Sequence, residues 1–502
     1  MPTDRPNILI FMNDQQQAAP TMPGHPCRTP HADRLAAQGL LFRRCYTVAA
    51  HCCPSRASAM TGLYPSGHGV FNNVLTNTAI HEDLRPGLSF WSEGLREAGY
   101  QLKWSGKWHV SRDLNPGDFG WEELLVGSSG RDRHERSWEQ WHEAAAQGQD
   151  RPRERGRGEL LRPGWGTYRH YGTLSKPRGQ AHDFTPGDYR IVTTGIEGLL
   201  HAAARREPWC VYIGPNGPHD PYLIPDQYAT MYDPAEVEMP ASWRDELRDR
   251  PVIYQRQRRF WQQLSLDEQR EALAHYWGYC TLQDDLLGLV LQALEATGQA
   301  GNTLVLFTSD HGDYGGAHGL WMKGVPAFDE AYHIPLIMRW PAGIVHRGRE
   351  VDDLVSIVDL APTFLELAGL PGGTGWQPVL PLHGRSLVPF LRDERPADWR
   401  DTLCTQFNGV ELYYSQRAVL TRDWKYVFNG FDWDELYDLR ADPHETRNLA
   451  PRPEDPHSES EETIRELCAR LWRFSEATAD FNHNPYATVS LCPYGPMTGL
   501  SR

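Results

Sequence analysis

The apolar positions of this chain fall into two rhythms. In the first two-thirds, short unbroken apolar runs alternate with stretches whose apolar residues recur at helical spacing. Asn7–Met12, Tyr100–Trp104, Trp209–Ile213 and Thr303–Thr308 are runs of the first kind, the pattern of strands buried on both faces. Between them, Thr29-Pro30 opens a helix that passes through Leu35 and Ala36 and stops at Gly39. Leu88–Ala98 is amphipathic and precedes Gly99. Ser265-Leu266-Asp267-Glu268 is a capping box that starts a long helix ending near Gly298. Asp359–Ala368 is a further helix, closed by Gly369 and Pro371. This alternation predicts an α/β fold with a mostly parallel central sheet flanked by helices.

After about Gly373 the pattern changes. Tyr413–Thr421, Lys425–Asn429 and Glu435–Asp438 are short strand-like runs between Asp, Gly and Asn turns, and Thr463–Glu476 reads as a helix. We therefore expect a large domain over residues 1–375 and a smaller α+β C-terminal domain over residues 376–502, with a short antiparallel sheet. The tail from Phe481 is rich in Pro, Gly and Asn and is expected to lie over a surface, such as that of a neighbouring subunit in a homo-oligomer. Residues 128–182 interrupt the rhythm with charge and glycine. They read as an insertion, either a solvated surface loop or a lid that selects the substrate.

Composition narrows the function. The formal net charge of −15 argues against a nucleic-acid partner, which needs a basic face. An anionic substrate would need a local cluster of positive groups set against that field. No apolar run approaches the length of a membrane span. The apolar stretch Ile8–Met12 is too short for a secretion signal, so the chain as it begins is expected to be cytoplasmic. Nine scattered cysteines, with no pair of C-x-x-C units, argue against a disulfide framework and a structural zinc site.

Four polar segments lie at or just past the carboxyl ends of predicted strands, where open α/β sheets gather their sites. Asn13-Asp14 offers an oxygen-donor pair for a hard cation, although an Asx after a strand is usually a turn or a cap. In His51-Cys52-Cys53-Pro54-Ser55-Arg56, Pro54 suits the first turn of a helix. Cys52 then sits at a helix N-terminus near Arg56, in a positive field that favours an anion and a thiolate. Two inert buried cysteines would read the same way. Gly106-Lys107-Trp108-His109 sets a cation and an imidazole two residues apart. If the strand continues that far, they share one face, as suits binding an oxyanion and transferring a proton. Thr308-Ser309-Asp310-His311-Gly312-Asp313, followed by Lys323, brings carboxylate and imidazole ligands to a strand end. Each segment taken singly is weak.

Taken in order, these segments resemble the type I sulfatases of the alkaline phosphatase superfamily. The likeness runs from RPNILIFMND through TPHADRLAAQGLLF, CCPSRASAMTGLYP, GKWH, GPNGPHDPY, TSDHGD and PLIMRWPAG to ELYDLRADPHETRNLA, and its C-x-P-S-R…TG element is highly specific. The resemblance implies an alkaline-phosphatase-like domain in which Cys52 is oxidised to formylglycine. The formylglycine-generating enzyme would read Pro54 and Arg56. It implies one divalent cation held by Asp14, Asp310, His311 and the modified Cys52, with Asn13 at a position where many sulfatases have a second Asp. Calcium is the family's usual ion. Because Asn brings no charge and imidazole suits calcium less well, manganese or magnesium is an alternative.

Arg56, Lys107, His109, His219 and Lys323 match residues around the sulfate, His219 lying in Pro218-His219-Asp220-Pro221. The implied reaction is attack by a hydroxyl of the hydrated aldehyde on the sulfur of a sulfate monoester. His219 would protonate the leaving oxygen, and His109 would take the proton that lets sulfate depart. The expected substrate is a small-molecule or carbohydrate sulfate ester. The nearest alternative is a phosphonate monoester or phosphodiester hydrolase of the same superfamily, against which the GKWH element speaks. A non-catalytic protein that only holds a sulfated ligand is a more distant one.

Overall fold

The four apolar runs lie side by side in one eight-stranded sheet. The computed structural model describes residues 5–499 except 77, 82, 128–136, 150–153, 163, 176–181, 371–375, 410–412, 431, 452–459 and 481–491. The strands are β1 (Asn7–Asn13), β2 (Leu40–Phe42), β3 (Gln101–Lys107), β4 (Glu122–Gly127), β5 (Trp209–Gly214), β6 (Thr303–Ser309), β7 (Leu336–Arg339) and β8 (Arg349–Val351). Their order is β8-β2-β7-β6-β1-β5-β3-β4. From β6 to β4 all neighbours are parallel, β7 is antiparallel to both its neighbours, and β8 is parallel to β2. The fold is thus the α/β architecture that the apolar pattern predicts, a mostly parallel central sheet flanked by helices.

Alternation along β1 divides the core into two layers. Leu9 and Phe11 pack with helices Pro186–Ala203 and Leu266–Ala296. Ile8, Ile10 and Met12 pack on the other face with helices Cys52–Thr61, Trp91–Glu97 and Leu360–Leu367. Every residue of β1, β5 and β6 is buried, so these strands have no solvent face and carry unbroken apolar runs. Each such aliphatic or aromatic side chain contributes about 1.5–3 kcal/mol of transfer free energy. Register then sets the site. Asn13 pairs with Ser309 and Phe11 with Ile213, so the carboxyl ends of β1, β5 and β6 coincide on one edge. Gly106 lets β3 end beside β5: its φ is +119°, and any Cβ there would run into the backbone of Gly214.

The C-terminal part forms an antiparallel meander of β9 (Leu403–Gly409), β10 (Tyr413–Leu420), β11 (Trp424–Asn429) and β12 (Glu435–Asp438). The first of these strands was not evident in the sequence pattern. Helix Glu461–Thr478 covers one face, where Leu467, Cys468 and Leu471 meet Val419, Tyr426 and Leu436. Phe407, Ala418 and Val427 join the core of the larger part. Gln406 N–H donates to Val48 O at 2.8 Å, which ties this sheet to the segment entering Cys52. The expectation for the tail falls largely on residues 481–491, outside the described residues. No helix among the described residues is long and apolar enough to cross a membrane.

Between the two parts lies a buried charge cluster. Lys425 Nζ sits 2.5 Å from Glu445 Oε1, and Glu445 Oε2 accepts from Asp329 N–H at 2.8 Å. Burial pushes Glu445 up to about 7, and burial together with Glu445 pushes the adjacent Glu330 up to about 8, from an ordinary value of 4.5. A carboxyl raised in the folded state stabilises the fold while protonated. That contribution is complete below the unfolded value and is lost as pH rises through about 7 to 8. Glu330→Gln is therefore expected to match wild type in Tm near pH 5 and to exceed it increasingly toward pH 9. Thermal melts of both proteins across that range check this, and a constant difference would disprove it.

Candidate active site

Parallel strands end on the same side, and that edge gathers segments far apart in sequence. Asn13 closes β1 and Asp14 follows it, Asp310-His311 follow β6, Lys107 closes β3, and His219 lies past β5. Opposite them, helix Cys52–Thr61 points its N-terminus at the edge. His51 is extended at the N-cap and its Nδ1 accepts from Cys52 N–H at 3.0 Å. The side chain of Cys52 thus emerges at the positive end of the helix dipole, which favours negative charge.

Four ligand-type groups converge there. Donor atoms of Asp14, Cys52, Asp310 and His311 lie within 4.8 Å of one another, and all four residues are buried. His311 Nδ1 faces Gly312 O at 2.9 Å and donates to it, which leaves Nε2 as the acceptor turned inward, 3.1 Å from Cys52 Sγ and 3.8 Å from Asp14 and Asp310. Asp310 Oδ1 accepts from Gln15 N–H at 3.0 Å and from His311 N–H at 2.8 Å. Asn13 donates its amide N–H to Gln16 Oε1 at 2.5 Å, and its own Oδ1 is buried without a hydrogen-bond partner. A buried amide oxygen left without a donor costs free energy unless a cation takes it. With two carboxylates and an inward imidazole nitrogen, the set fits a divalent metal ion.

Cations ring this cluster. Arg56, 1% exposed, donates from Nε to Asp310 Oδ2 at 2.7 Å and from Nη2 to Asp14 Oδ2 at 3.3 Å, while Nη1 reaches Tyr212 Oη at 3.0 Å. Tyr212 is itself clamped by a stacked Trp104, ring centroids 3.7 Å apart. Lys107 Nζ contacts Asp14 Oδ2, and Lys323 Nζ contacts Gln15 Oε1 and lies 2.6 Å from His219 Nε2. Burial pushes the Cys52 thiol up, but Lys107, Lys323, His311 and His109 pull it further down, well below its ordinary value. Burial and Cys52 likewise push Asp14 up, and Lys107, His219 and Arg56 outweigh them.

The two other histidines face Cys52 in different states. Burial, then Lys107, pushes His109 down to about 4, so it is neutral; its Nδ1 is buried without a partner. Burial and Lys323 lower His219, but Asp220, Asp14 and the Cys52 sulfur more than offset them and leave it above its ordinary value. Its side chain is 30% exposed, against 8% for Lys323, so the site opens to solvent beside His219. A titrating pair driven apart in this way suits one acid and one base.

All ten residues singled out in the sequence meet here, with one correction of detail. β3 ends at Lys107, and His109 adopts a left-handed φ of 51° beyond it. Strand alternation therefore does not align Lys107 with His109; a turn does. Three contributors gave no sequence signal. Gln15, also left-handed at φ 65°, bridges Lys323 to Asp313. Tyr222 Oη donates to Asp313 at 2.6 Å. Tyr168, inside the 128–182 insertion, donates to Asp220 Oδ2 at 2.7 Å and so reaches the carboxylate beside His219. The described part of that insertion is anchored, with Arg155 bidentate to Glu268 at 2.6 Å and Tyr171 bonded to Glu271 at 2.6 Å. Its other segments, 128–136, 150–153, 163 and 176–181, lie outside the described residues.

A buried cysteine at a helix end, a group of side chains able to hold a metal ion and a ring of cations at the carboxyl edge of this sheet suit a hydrolase. Residues 6–370 match the family model for sulfatases, and residues 316–476 match that for the C-terminal region of N-sulphoglucosamine sulphohydrolase. An uncharacterised sulfatase of Escherichia coli K12 is 30% identical over 465 residues, covering 89% of this chain and 83% of that protein. A choline-sulfatase of Rhizobium meliloti is 27% identical over 94% of this chain and 88% of its own length. Among solved structures, the phosphonate monoester hydrolase of Agrobacterium radiobacter superimposes with a TM-score of 0.73 at 23% identity, covering 94% of this chain and 96% of that one, a likeness of fold. The chain belongs to the sulfatase family. It is an enzyme that hydrolyses sulfuric esters.

Proposed function

We propose that this sulfatase cleaves a sulfate monoester with formylglycine, formed from Cys52 by a formylglycine-generating enzyme, as its nucleophile. One divalent cation is held by Asn13, Asp14, Asp310, His311 and position 52, with calcium favoured and manganese or magnesium as alternatives. The observation that carries this reading is the convergence of Cys52, Asp14, Asp310 and His311 within 4.8 Å at a helix N-terminus. Together the cation and the aldehyde hydrate would supply a nucleophilic hydroxyl at neutral pH and a positive counter-charge.

The chain's own residues do the rest. Lys107 and Lys323 hold the equatorial oxygens as charge builds on them, and Arg56 keeps the two carboxylates paired and in place. His219, raised above its ordinary value by Asp220 and Asp14, lies at the open side and gives a proton to the departing ester oxygen. His109, neutral, receives a proton from position 52. Asp220, bonded by Tyr168, orients His219. The substrate is a small-molecule or carbohydrate sulfate ester, and the catalytic unit spans residues 1–375 with a smaller unit over 376–502.

Mass spectrometry of the tryptic peptide carrying position 52, from active protein, tests the nucleophile. An aldehyde mass is expected. A free thiol in fully active protein would exclude formylglycine as the nucleophile. Parallel assays on aryl sulfate and aryl phosphonate esters test the reaction class, with sulfate expected to be hydrolysed at the higher kcat/KM.

A further inference from the structure

Behind the active site, beyond the far end of the helix that starts at Cys52, lies a cavity of about 710 Å³. That helix has ten residues, so the cavity is about 15 Å from Cys52. Its walls come from the turn after the helix at Tyr64–Gly67, from Leu380–His383, from the start of β9 and from helix Glu461–Thr478.

Arg85, Arg400, Arg470 and Arg473 all line it, against a single acidic side chain, Asp401. Two of the four arginines are committed. Arg400 is bidentate to Asp359 at 2.7 and 2.6 Å, and Arg470 bonds Glu466 at 2.8 Å and Asp401 at 2.9 Å. No ion pair among the described residues engages Arg85 or Arg473. His383 adds a donor, because its Nδ1 accepts from Tyr64 N–H at 2.9 Å and its Nε2 therefore carries the proton. Concentrating cations here, in a chain of net charge −15, leaves two guanidinium groups with no counter-ion among the described residues.

The remaining walls are not those of a simple oxyanion site. Tyr64 and Phe474 meet edge to face with ring centroids 4.7 Å apart, and Leu380 and Leu382 add aliphatic surface. A volume of about 710 Å³ lies within the range of small-molecule sites, roughly 300–1,000 Å³, and is far more than one inorganic anion fills. Guanidinium forks match sulfate and carboxylate oxygens in pairs, and aromatic and aliphatic walls match the face of a ring.

We propose that this cavity is a second binding site, for a sulfated or carboxylated monosaccharide unit, held by Arg85 and Arg473. The assignment does not depend on the chemistry proposed at Cys52. It is tested in full-length Cys52→Ala protein, where nothing is turned over, by calorimetric titration with glucose 6-sulfate. Binding is expected that weakens at least tenfold when Arg85→Glu and Arg473→Glu are added. Binding unaffected by that pair, or no binding at all, would overturn the proposal. Inorganic sulfate or unsulfated glucose matching glucose 6-sulfate in affinity would overturn the sugar or the anion part respectively. Both arginines are exposed, so the pair made in otherwise wild-type protein is expected to leave kcat on a small aryl sulfate unchanged, which verifies the fold.

Discussion

Replacing Cys52 by alanine is expected to lower kcat toward an aryl sulfate by on the order of 10⁶-fold, the scale seen when a covalent nucleophile is removed. The fold should survive. Cys52 heads its helix at a position capped by the His51 ring, and that cap is made to the backbone N–H rather than to the sulfur. The change removes one atom from a polar cluster and leaves Asp14, Asp310 and His311 in register at the strand ends. Steady-state kinetics with a melting curve on the same preparation check both halves. Activity above one-hundredth of wild type would mean that position 52 is not the nucleophile.

Arg56→Met should act on stability first. The guanidinium is buried between Asp14 and Asp310, and its loss leaves Asp310 without its paired cation and Asp14 with Lys107 alone, in a low-dielectric site. Breaking a buried pair from one side typically costs about 3–5 kcal/mol, and here the cost should appear in full only in metal-free protein. Denaturant unfolding in chelator, with and without added divalent cation, measures it. A loss that shrinks when the cation is restored is expected. A variant as stable as wild type in chelator would show that Arg56 does not hold these carboxylates.

Much of this site was legible in the sequence because its residues come in short local clusters at strand ends. Asn13-Asp14, Lys107 to His109 and Asp310-His311 each follow an apolar run, and parallel strands deliver such positions to one edge whatever their separation in sequence, while Cys52 to Arg56 is marked by the start of a helix that faces that edge. Strands buried on both faces read clearly for the same reason, since their apolar runs are unbroken. β9 and Tyr168 were hidden. β9, LCTQFNG, carries polar residues on its buried face, where Gln406 bonds to Ser66. Tyr168 sits in a charged, glycine-rich stretch that has no apolar pattern of its own.

The sequence by itself determined the α/β class with a mostly parallel sheet and the cysteine at a helix start, because local pattern suffices for these, while the roles proposed for the ligand and proton-transfer residues followed from the family resemblance. Only the tertiary structure decided that burial lowers His109 while Asp220 and Asp14 raise His219, that Arg56 pairs with the two carboxylates, and that Gln15, Asp220 and Tyr168 support the site. Those outcomes depend on burial and on distances of about 3 Å between groups scores of residues apart, and a charge's effect on its neighbour is set by that separation and by the solvent excluded around it.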